Sequence, residues 1–233
     1  MTGTLRLACI DSDAPPLFGL AQPDGSRQGY EPAAAALVAA ELGVSVKWVI
    51  LPWGEMIPAV QQGRADAVWC GQGITPEREA QVDFTTPYAI FDESVLVPRG
   101  TGRTDAAALR GLRVGAIEAS ANLALAKTFD GAVPVPFDPA SDDVFADMVQ
   151  ALRRGEVDAV VDDDVVLAPL ADDPELEVGF TVPTRNRWGV GVAKDRPDLR
   201  DRISAALDTV IADGRLAQVW RTWIPGLAFP LAS

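Results

Sequence analysis

The stretch Gly71 to Tyr88, GQGITPEREAQVDFTTPY, decides the fold. It follows a short apolar run, Ala67 to Cys70, that predicts a buried strand. Two of the three residues from Gly71 to Gly73 lack a Cβ, so the backbone can bend sharply there and present its amide groups. Thr75-Pro76 then has the residue types of an N-cap and a first helical position. The stretch therefore predicts a strand, a tight turn and a short helix that carries Arg78.

This order of elements indicates a carboxylate site. In an open α/β sheet, ligands bind outside the carboxyl ends of the strands, where this turn would lie. Arginine suits a carboxylate because its planar guanidinium donates two parallel hydrogen bonds. We therefore expect Gly71, Gly73 and Arg78 to bind a ligand. From Thr75 to Arg78 alone, a capped helix start with a solvated arginine is the better interpretation.

The segment ITPEREAQVDFTTPY resembles the segment that marks the family 3 extracellular solute-binding proteins, the receptors that deliver amino acids to ABC importers. The resemblance extends over nearly the whole chain, and the shared order of its pieces strengthens it. The further matching pieces are Gly29-Tyr30, LRGLRVG at 109–115, GEVDA at 155–159, WGVG at 188–191 and DGRLAQVWRTWI at 213–224.

The resemblance implies an α/β, two-lobed type II periplasmic-binding-protein fold. Each lobe would be a mostly parallel sheet flanked by helices, and two hinge strands would join the lobes. We expect lobe 1 to consist of residues 1–92 and 188–233, and lobe 2 of residues 93–187. An amino acid or related small carboxylate would be held in the cleft between the lobes, because contacts from both lobes stabilise the closed state. The expected partners are this ligand and the membrane subunits of an ABC importer, with the receptor itself a monomer.

Composition sets the broad class. The 233 residues, 48% of them hydrophobic, are enough for two domains with real cores. The net charge of -13 argues against nucleic acid as a partner. No apolar run approaches the roughly 20 residues that span a bilayer, and the first residues lack the pattern of a secretory signal. Either the protein is cytoplasmic or a signal has been removed; the resemblance implies the second, with a periplasmic or extracytoplasmic location.

The chain contains no histidine, which excludes Ser-His-Asp and Cys-His nucleophilic sites and every His-bearing metal site. We predict binding without catalysis, and neither cofactor nor metal. One rival is an enzyme similar to cyclohexadienyl dehydratases, with Glu118 or Asp164 as a general acid if burial raised its pKa. Another is a ligand-sensing domain. Cys9 and Cys70 each lie near the end of a predicted strand, and two buried thiols are a plainer interpretation than a disulfide.

Four further residues complete the predicted site. Asp11 follows the first strand, where the family often has a ligand-facing acid, although an Asp that caps a turn fits equally well. Trp53 stands where the family has an aromatic wall, the alternative being core packing at a helix start. Ser120 predicts a helix N-cap beside an anion site. The family usually has Gly-Thr or Gly-Ser where this chain has Ala119-Ser120, so the hydroxyl is kept and the glycine is lost. Asp163 matches the acid that pairs with an ammonium group, although the triplet Asp162 to Asp164 alone indicates a solvated turn.

The resemblance thus implies that Arg78 and Ser120 hold the carboxylate of the ligand and Asp163 its ammonium group. Asp162 and Asp164 would be solvated or cap the next helix. Gly73 departs from the family, which commonly has a Ser or Thr there that helps to hold the ammonium. The usual grip on an α-amino group is therefore incomplete, and the ligand need not be a standard amino acid.

Overall fold

The structure, a computed structural model, describes residues 3–11, 13–139, 141, 143–170 and 172–231. The chain divides into two compact units: unit 1 is Met1–Phe91 with Arg185–Ser233, and unit 2 is Asp92–Thr184. The expected division at 92/93 and 187/188 therefore differs by one residue at the first crossing and by three at the second. Two positions of the predicted elements, Ser12 in the first loop and Asp142 at a helix start, lie outside the described residues.

The described residues contain ten strands: β1 (Gly3–Cys9), β2 (Val44–Ile50), β3 (Ala67–Val68), β4 (Asp83–Phe84), β5 (Ala89–Pro98), β6 (Arg113–Ile117), β7 (Val133–Phe137), β8 (Ala159–Asp163), β9 (Leu176–Trp188) and β10 (Gly191–Val192). They also contain eight α-helices: α1 (Tyr30–Leu42), α2 (Met56–Gln61), α3 (Pro76–Glu79), α4 (Ala121–Ala126), α5 (Val144–Arg153), α6 (Asp164–Leu167), α7 (Pro197–Ala212) and α8 (Arg215–Trp223). Short 3-10 helices lie at Trp53–Glu55, Ala106–Leu109 and Ala168–Leu170.

The sheet of unit 1 has the order β2-β1-β3-β10-β4. β1 pairs in parallel with β2 and with β3, as the alternation of strands and helices predicts. β10 pairs antiparallel with β3 on one side and with β4 on the other. The sheet is therefore mixed, with a parallel half built from the beginning of the chain.

Two helix ends beside this sheet are capped. α1 ends at Leu42, and the residue that follows, Gly43, takes a left-handed φ of 66° and donates its amide to the carbonyls of Ala39 and Ala40. Thr75 caps α3, where its side chain accepts a hydrogen bond from the Arg78 amide.

The sheet of unit 2 has the order β7-β6-β8-β5-β9, with β6 parallel to β7 and β8, and β5 antiparallel to β8. β7 was not predicted, because Pro134 and Pro136 argue against a strand. It lies at the edge of the sheet and has β6 as its one neighbour, so the missing amide hydrogens of the prolines can face away from the sheet. Apolar residues pack against both faces of this sheet, so unit 2 has its own core.

The second crossing lies earlier in the chain than predicted. The boundary was expected at 187/188, whereas β9 already carries the chain from unit 2 into unit 1 at Arg185 and ends at Trp188. Trp188 is buried and packs against Phe91 and Tyr88, with ring centroids 4.8 Å and 6.3 Å away. The indole therefore anchors the end of the crossing strand within the core of unit 1.

Candidate functional site

The glycine turn after β3 has the backbone geometry that its sequence predicts. Gly71 adopts a φ of 57°, which a residue with a Cβ rarely takes. The Trp188 ring packs against this turn, 3.8 Å from the position a Cβ on Gly71 would occupy. Gly73 forms an antiparallel bridge with Trp188. The turn is thus held against the buried indole at the end of β9.

Arg78 lies beside this turn. Its Nη1 donates a hydrogen bond to the Gly73 carbonyl at 2.9 Å, and its guanidinium carbon lies 5.5 Å from the centre of the Trp53 ring. A guanidinium over an aromatic face at this separation is a favourable cation-π arrangement. Three residues predicted from the sequence, Trp53, Gly73 and Arg78, are therefore brought together in unit 1.

Trp53 is not a core residue. The alternative interpretation, packing at a helix start, is wrong because the side chain is 38% exposed and begins a 3-10 helix on the surface of unit 1. A half-exposed indole next to an arginine has an apolar face available for contact with a ligand.

The unusual glycine at position 73 has a steric consequence. A Cβ built on Gly73 would lie 3.1 Å from Arg78 Nη1. A serine or threonine at this position would press on the guanidinium, so Gly73 allows Arg78 to lie directly against the turn.

Asp11 has a structural role within its own loop. Its side chain is exposed, and Oδ1 accepts a hydrogen bond from the Ala21 amide at 3.1 Å. The partner is ten positions away, so the bond links the two ends of the loop and is not the local cap of a turn that the sequence suggested as an alternative. A contact between Asp11 and a ligand stays a prediction.

Ser120 caps α4, as its sequence position predicts. Its Oγ accepts a hydrogen bond from the Leu123 amide at 3.0 Å and donates one to the Ile117 carbonyl at 2.6 Å. Ala119 takes a left-handed φ of 58°. That backbone conformation favours glycine, which gives a physical reason for the glycine that the family usually has at this position.

The Asp triplet differs from its prediction. β8 ends at Asp163 rather than at Val161, because β5 pairs with it as far as Ser94 opposite Asp162 and Glu93 opposite Asp163. The expectation that Asp162 is solvated is wrong: its side chain is 6% exposed. The Asp162 Oδ1 accepts hydrogen bonds from Asn122 Nδ2 at 3.1 Å and from the Asp163 amide at 2.8 Å.

These acids and Glu93, itself 1% exposed, form a cluster that we call the acidic cluster: Glu93, Asp162, Asp163 and Asp164. Burial raises the pKa of Asp162 to about 7 and that of Asp164 to about 6. Burial, and then the neighbouring Asp162 charge, raise the pKa of Asp163 well above its usual range. A cation beside the cluster would therefore be stabilised by several carboxylates, whose mutual repulsion it would reduce.

Two buried polar atoms at the acidic cluster have no hydrogen-bond partner within the described ranges: Oδ1 of Asp164, a member of the cluster, and Oδ1 of Asn122, which contacts Asp162. Asn122 and Glu93 were missed by the sequence analysis. Their only signal is a polar interruption of an apolar element: Asn122 in the helix ANLALA, and Glu93 between Asp92 and Ser94 in the middle of the strand AIFDESVLVP.

Glu31, also missed, lies beneath the glycine turn of unit 1. The side chain is completely buried in the first turn of α1, and the Tyr88 hydroxyl lies 3.0 Å from Oε1 and 2.9 Å from Oε2. Burial raises the pKa of the Glu31 carboxyl to about 8, against the lowering effect of hydrogen bonds from Tyr88 and the Gly71 amide. Glu31 therefore connects the turn to the aromatic core of its unit.

Two α/β units crossed by two strands, each with polar side chains where its parallel strands end, define a two-domain solute-binding protein. Residues 7–226 match the sequence profile of the bacterial extracellular solute-binding proteins, family 3. The chain belongs to this family. The membership and the fold predicted from the TPER segment and its companions are thereby confirmed.

Relatives and solved structures cover most of the chain. The chain is 30% identical to an L-arginine-binding protein of Pseudomonas aeruginosa, over 90% of this chain and 84% of the relative. It is 28% identical to an ABC transporter glutamine-binding protein of Bacillus subtilis, over 89% of this chain and 77% of the relative. An ancestral arginine-binding protein bound to arginine superposes with a TM-score of 0.81 at 29% identity, covering 96% of this chain and 99% of that one. An ancestral amino acid-binding protein described as a precursor of cyclohexadienyl dehydratase superposes with a TM-score of 0.80 at 28% identity, covering 95% of each chain.

Two features of other protein classes are absent from the described part of the chain. No helix within the described ranges is both long and apolar enough to cross a membrane. In the same part of the chain, no three His, Cys, Asp or Glu side chains are grouped so as to hold a metal ion.

Proposed function

We propose that this protein captures an amino acid or related small carboxylate outside the cytoplasm and delivers it to the membrane subunits of an ABC importer. The observation that carries the proposal is the arrangement of Arg78 in unit 1, between the Gly73 carbonyl and the half-exposed Trp53. An arginine held in this way is oriented to grip a carboxylate while the indole covers the neighbouring apolar part of the ligand. Family membership and the arginine- and glutamine-binding relatives support it.

Each predicted residue has a role in this proposal. Arg78 binds the carboxylate of the ligand, and Trp53 forms a wall. Ser120 contributes its hydroxyl, although a carboxylate must compete with the Ile117 carbonyl for that proton. Asp163 binds an ammonium group. Arg78 and Trp53 belong to unit 1, whereas Ser120 and Asp163 belong to unit 2, so a ligand bound by all four would stabilise a closed state relative to an open one.

The acidic cluster favours a ligand that carries positive charge beyond one α-amino group. Asp162 and Glu93 are buried acids in the same cluster as Asp163, so a second cationic group would be stabilised there. A cationic amino acid satisfies both this cluster and Arg78, in keeping with the arginine-binding relatives.

A thermal-shift screen tests the proposed function. A ligand that binds only the folded state must raise the melting temperature, by an amount that grows with the ratio of its concentration to Kd. We expect arginine or lysine to give the largest shift among arginine, lysine, glutamine, glutamate and cystine. The decarboxylated amines agmatine and cadaverine are the matched controls. Stabilisation by these amines alone would contradict the carboxylate site.

The same incubations test for turnover, since we propose binding without catalysis. Of the two acids considered for a dehydratase, Glu118 is exposed, whereas burial raises the pKa of Asp164 to about 6. Asp164 therefore meets the requirement for a general acid better than Glu118. Product formed from prephenate or arogenate, and lost on Asp164→Asn, would place the protein among the dehydratases.

Asp163→Asn should weaken the binding of a ligand with an ammonium group more than the binding of the same ligand without one. The amide keeps the size and one acceptor oxygen but removes the charge, so arginine should bind more weakly by on the order of 2 kcal/mol. Deaminated arginine, which keeps the carboxylate and guanidinium, should lose much less. Titration calorimetry with both ligands measures this contrast.

Asp130→Asn is the matched control, because Asp130 is 83% exposed and pairs with Arg110 on the surface of unit 2. It should leave both affinities unchanged. Equal losses for the two ligands in Asp163→Asn would show that Asp163 supports the fold and that the ammonium is held elsewhere.

A further inference from the structure

The two cysteines of the chain lie in contact although they are 61 positions apart. Cys9 Sγ and Cys70 Sγ are 3.1 Å apart, and both side chains are buried as free thiols. Cys9 is the last residue of β1, and Cys70 follows β3. Because β1 and β3 pair in parallel, the two thiols meet at the carboxyl edge of the sheet of unit 1.

The backbone around the thiols is already fixed by the sheet. Ala8 pairs with Val68, and the Trp69 amide donates to the Ala8 carbonyl at 3.1 Å. A disulfide needs its sulfurs at about 2.05 Å, so the sulfurs must approach by roughly 1 Å, which small rotations of the two side chains can supply. We propose that Cys9 and Cys70 are an oxidation site that forms an intramolecular disulfide with a low-molecular-weight or protein disulfide as oxidant.

The bond would join two segments of the candidate binding site. Ile10 and Asp11 follow Cys9 directly, and the Gly71 to Gly73 turn follows Cys70. A disulfide here would restrict the relative movement of the Asp11 loop and the turn on which Arg78 rests. It would also close a long loop of chain in the unfolded state, the case in which a cross-link restricts the unfolded chain most.

The chemistry is thiol-disulfide exchange. The Cys9 thiolate attacks one sulfur of the oxidant, forming a mixed disulfide and releasing the other half as a thiolate. Cys70 then loses its proton and attacks the Cys9 sulfur, which forms the Cys9–Cys70 bond and releases the second half of the oxidant. In total the protein loses two protons and two electrons, and the oxidant is reduced to two thiols.

Two neighbours determine which sulfur reacts first and how fast. Arg27, 7% exposed, donates a hydrogen bond from Nη1 to Cys9 Sγ at 3.0 Å, which places a positive charge directly beside that sulfur. Burial raises the pKa of the Cys70 thiol well above its usual value, so Cys70 is the second sulfur to react. Because both thiols are buried, oxidation of the folded protein should be slower than oxidation during refolding.

The test uses the full chain, refolded from denaturant in buffers with different ratios of reduced to oxidised glutathione. Remaining thiols are then labelled with N-ethylmaleimide in denaturant, and the intact mass is measured. We expect an unlabelled species about 2 Da lighter than the reduced protein in oxidising buffer, and a doubly labelled species in reducing buffer. The oxidised form should melt on the order of 10 °C higher than the reduced form.

Cys9→Ala and Cys70→Ala are the matched controls. Neither variant can form the bond, so neither should show a melting temperature that depends on the glutathione ratio. Two labels, or glutathione adducts on both cysteines, after refolding in oxidising buffer would overturn the proposal. So would a disulfide that lowers the melting temperature, because the bond would then not fit the native strands. The thiol count requires no amino acid ligand, so this result is independent of the proposed transport function.

Discussion

Arg78→Ala should weaken the binding of arginine, or of the amino acid selected by the thermal-shift screen, at least about 30-fold. The variant removes a charge-assisted, two-pronged contact and leaves the carboxylate of the ligand desolvated without a partner. Such a loss is on the order of 2 to 5 kcal/mol, and about 1.4 kcal/mol corresponds to each factor of ten. Titration calorimetry on the purified variant measures it.

Three comparisons separate the roles of Arg78. Arg78→Lys keeps the positive charge but loses the planar fork, so its affinity should lie between those of wild type and Arg78→Ala. Arg221→Ala, an exposed position on α8 of the same unit, should have no effect. Arg78 also donates to the Gly73 carbonyl. If Arg78→Ala weakens the binding of the decarboxylated amine as much as that of the amino acid, Arg78 supports the turn and does not bind the carboxylate.

Glu31→Gln should stabilise the protein at pH 8, and its advantage should shrink towards pH 5. Burial raises the pKa of the Glu31 carboxyl from an ordinary 4.5 to about 8. The folded state therefore keeps a proton that the unfolded state loses above about pH 4.5. Because the unfolded state binds fewer protons in this interval, the free energy of unfolding falls as pH rises from about 4.5 to about 8. Glutamine cannot ionise and escapes this loss.

The expected difference between variant and wild type grows by on the order of 4 kcal/mol across that interval, since each pKa unit corresponds to about 1.4 kcal/mol and titration is incomplete at both ends. Denaturant unfolding at pH 5, 6, 7 and 8 measures it, and the other buried acids cancel in the difference. Glu79→Gln, on the exposed side of α3, is the control and should give a small difference that does not vary with pH. A glutamine variant that is less stable at every pH would mean that Glu31 is ionised and stabilising in the folded protein.

The site was only partly predictable, for a reason visible in β8. The sequence VDAVVDDD predicts a buried strand followed by charges, and charges usually end a strand at the surface. Pairing with β5 carries the ladder on to Asp163 and buries Asp162. That pairing joins positions 70 residues apart in the register Glu93 to Asp163, and no local pattern indicates it.

Local elements and family membership could be predicted from residue patterns alone. Thr75, Pro76 and the flanking glycines specify the turn and short helix through N-capping and backbone freedom, which act within a few residues. The order of motifs along the chain was enough to predict the family and the fold. Gly73 and Arg78 were selected from the turn and helix-start pattern and Trp53 from the resemblance, and the structure brings these three residues together in unit 1.

Which polar groups are buried, and what they touch, depends on the tertiary structure. It places the Cys9 and Cys70 sulfurs in contact, buries Glu31 against Tyr88, and leaves the Trp53 indole partly exposed beside Arg78 instead of in the core. The physical reason is that burial and the resulting pKa shifts depend on the apolar groups packed around a side chain. Those groups come from strands and helices far apart in the chain, so their arrangement follows from strand pairing and packing, which local residue patterns do not encode.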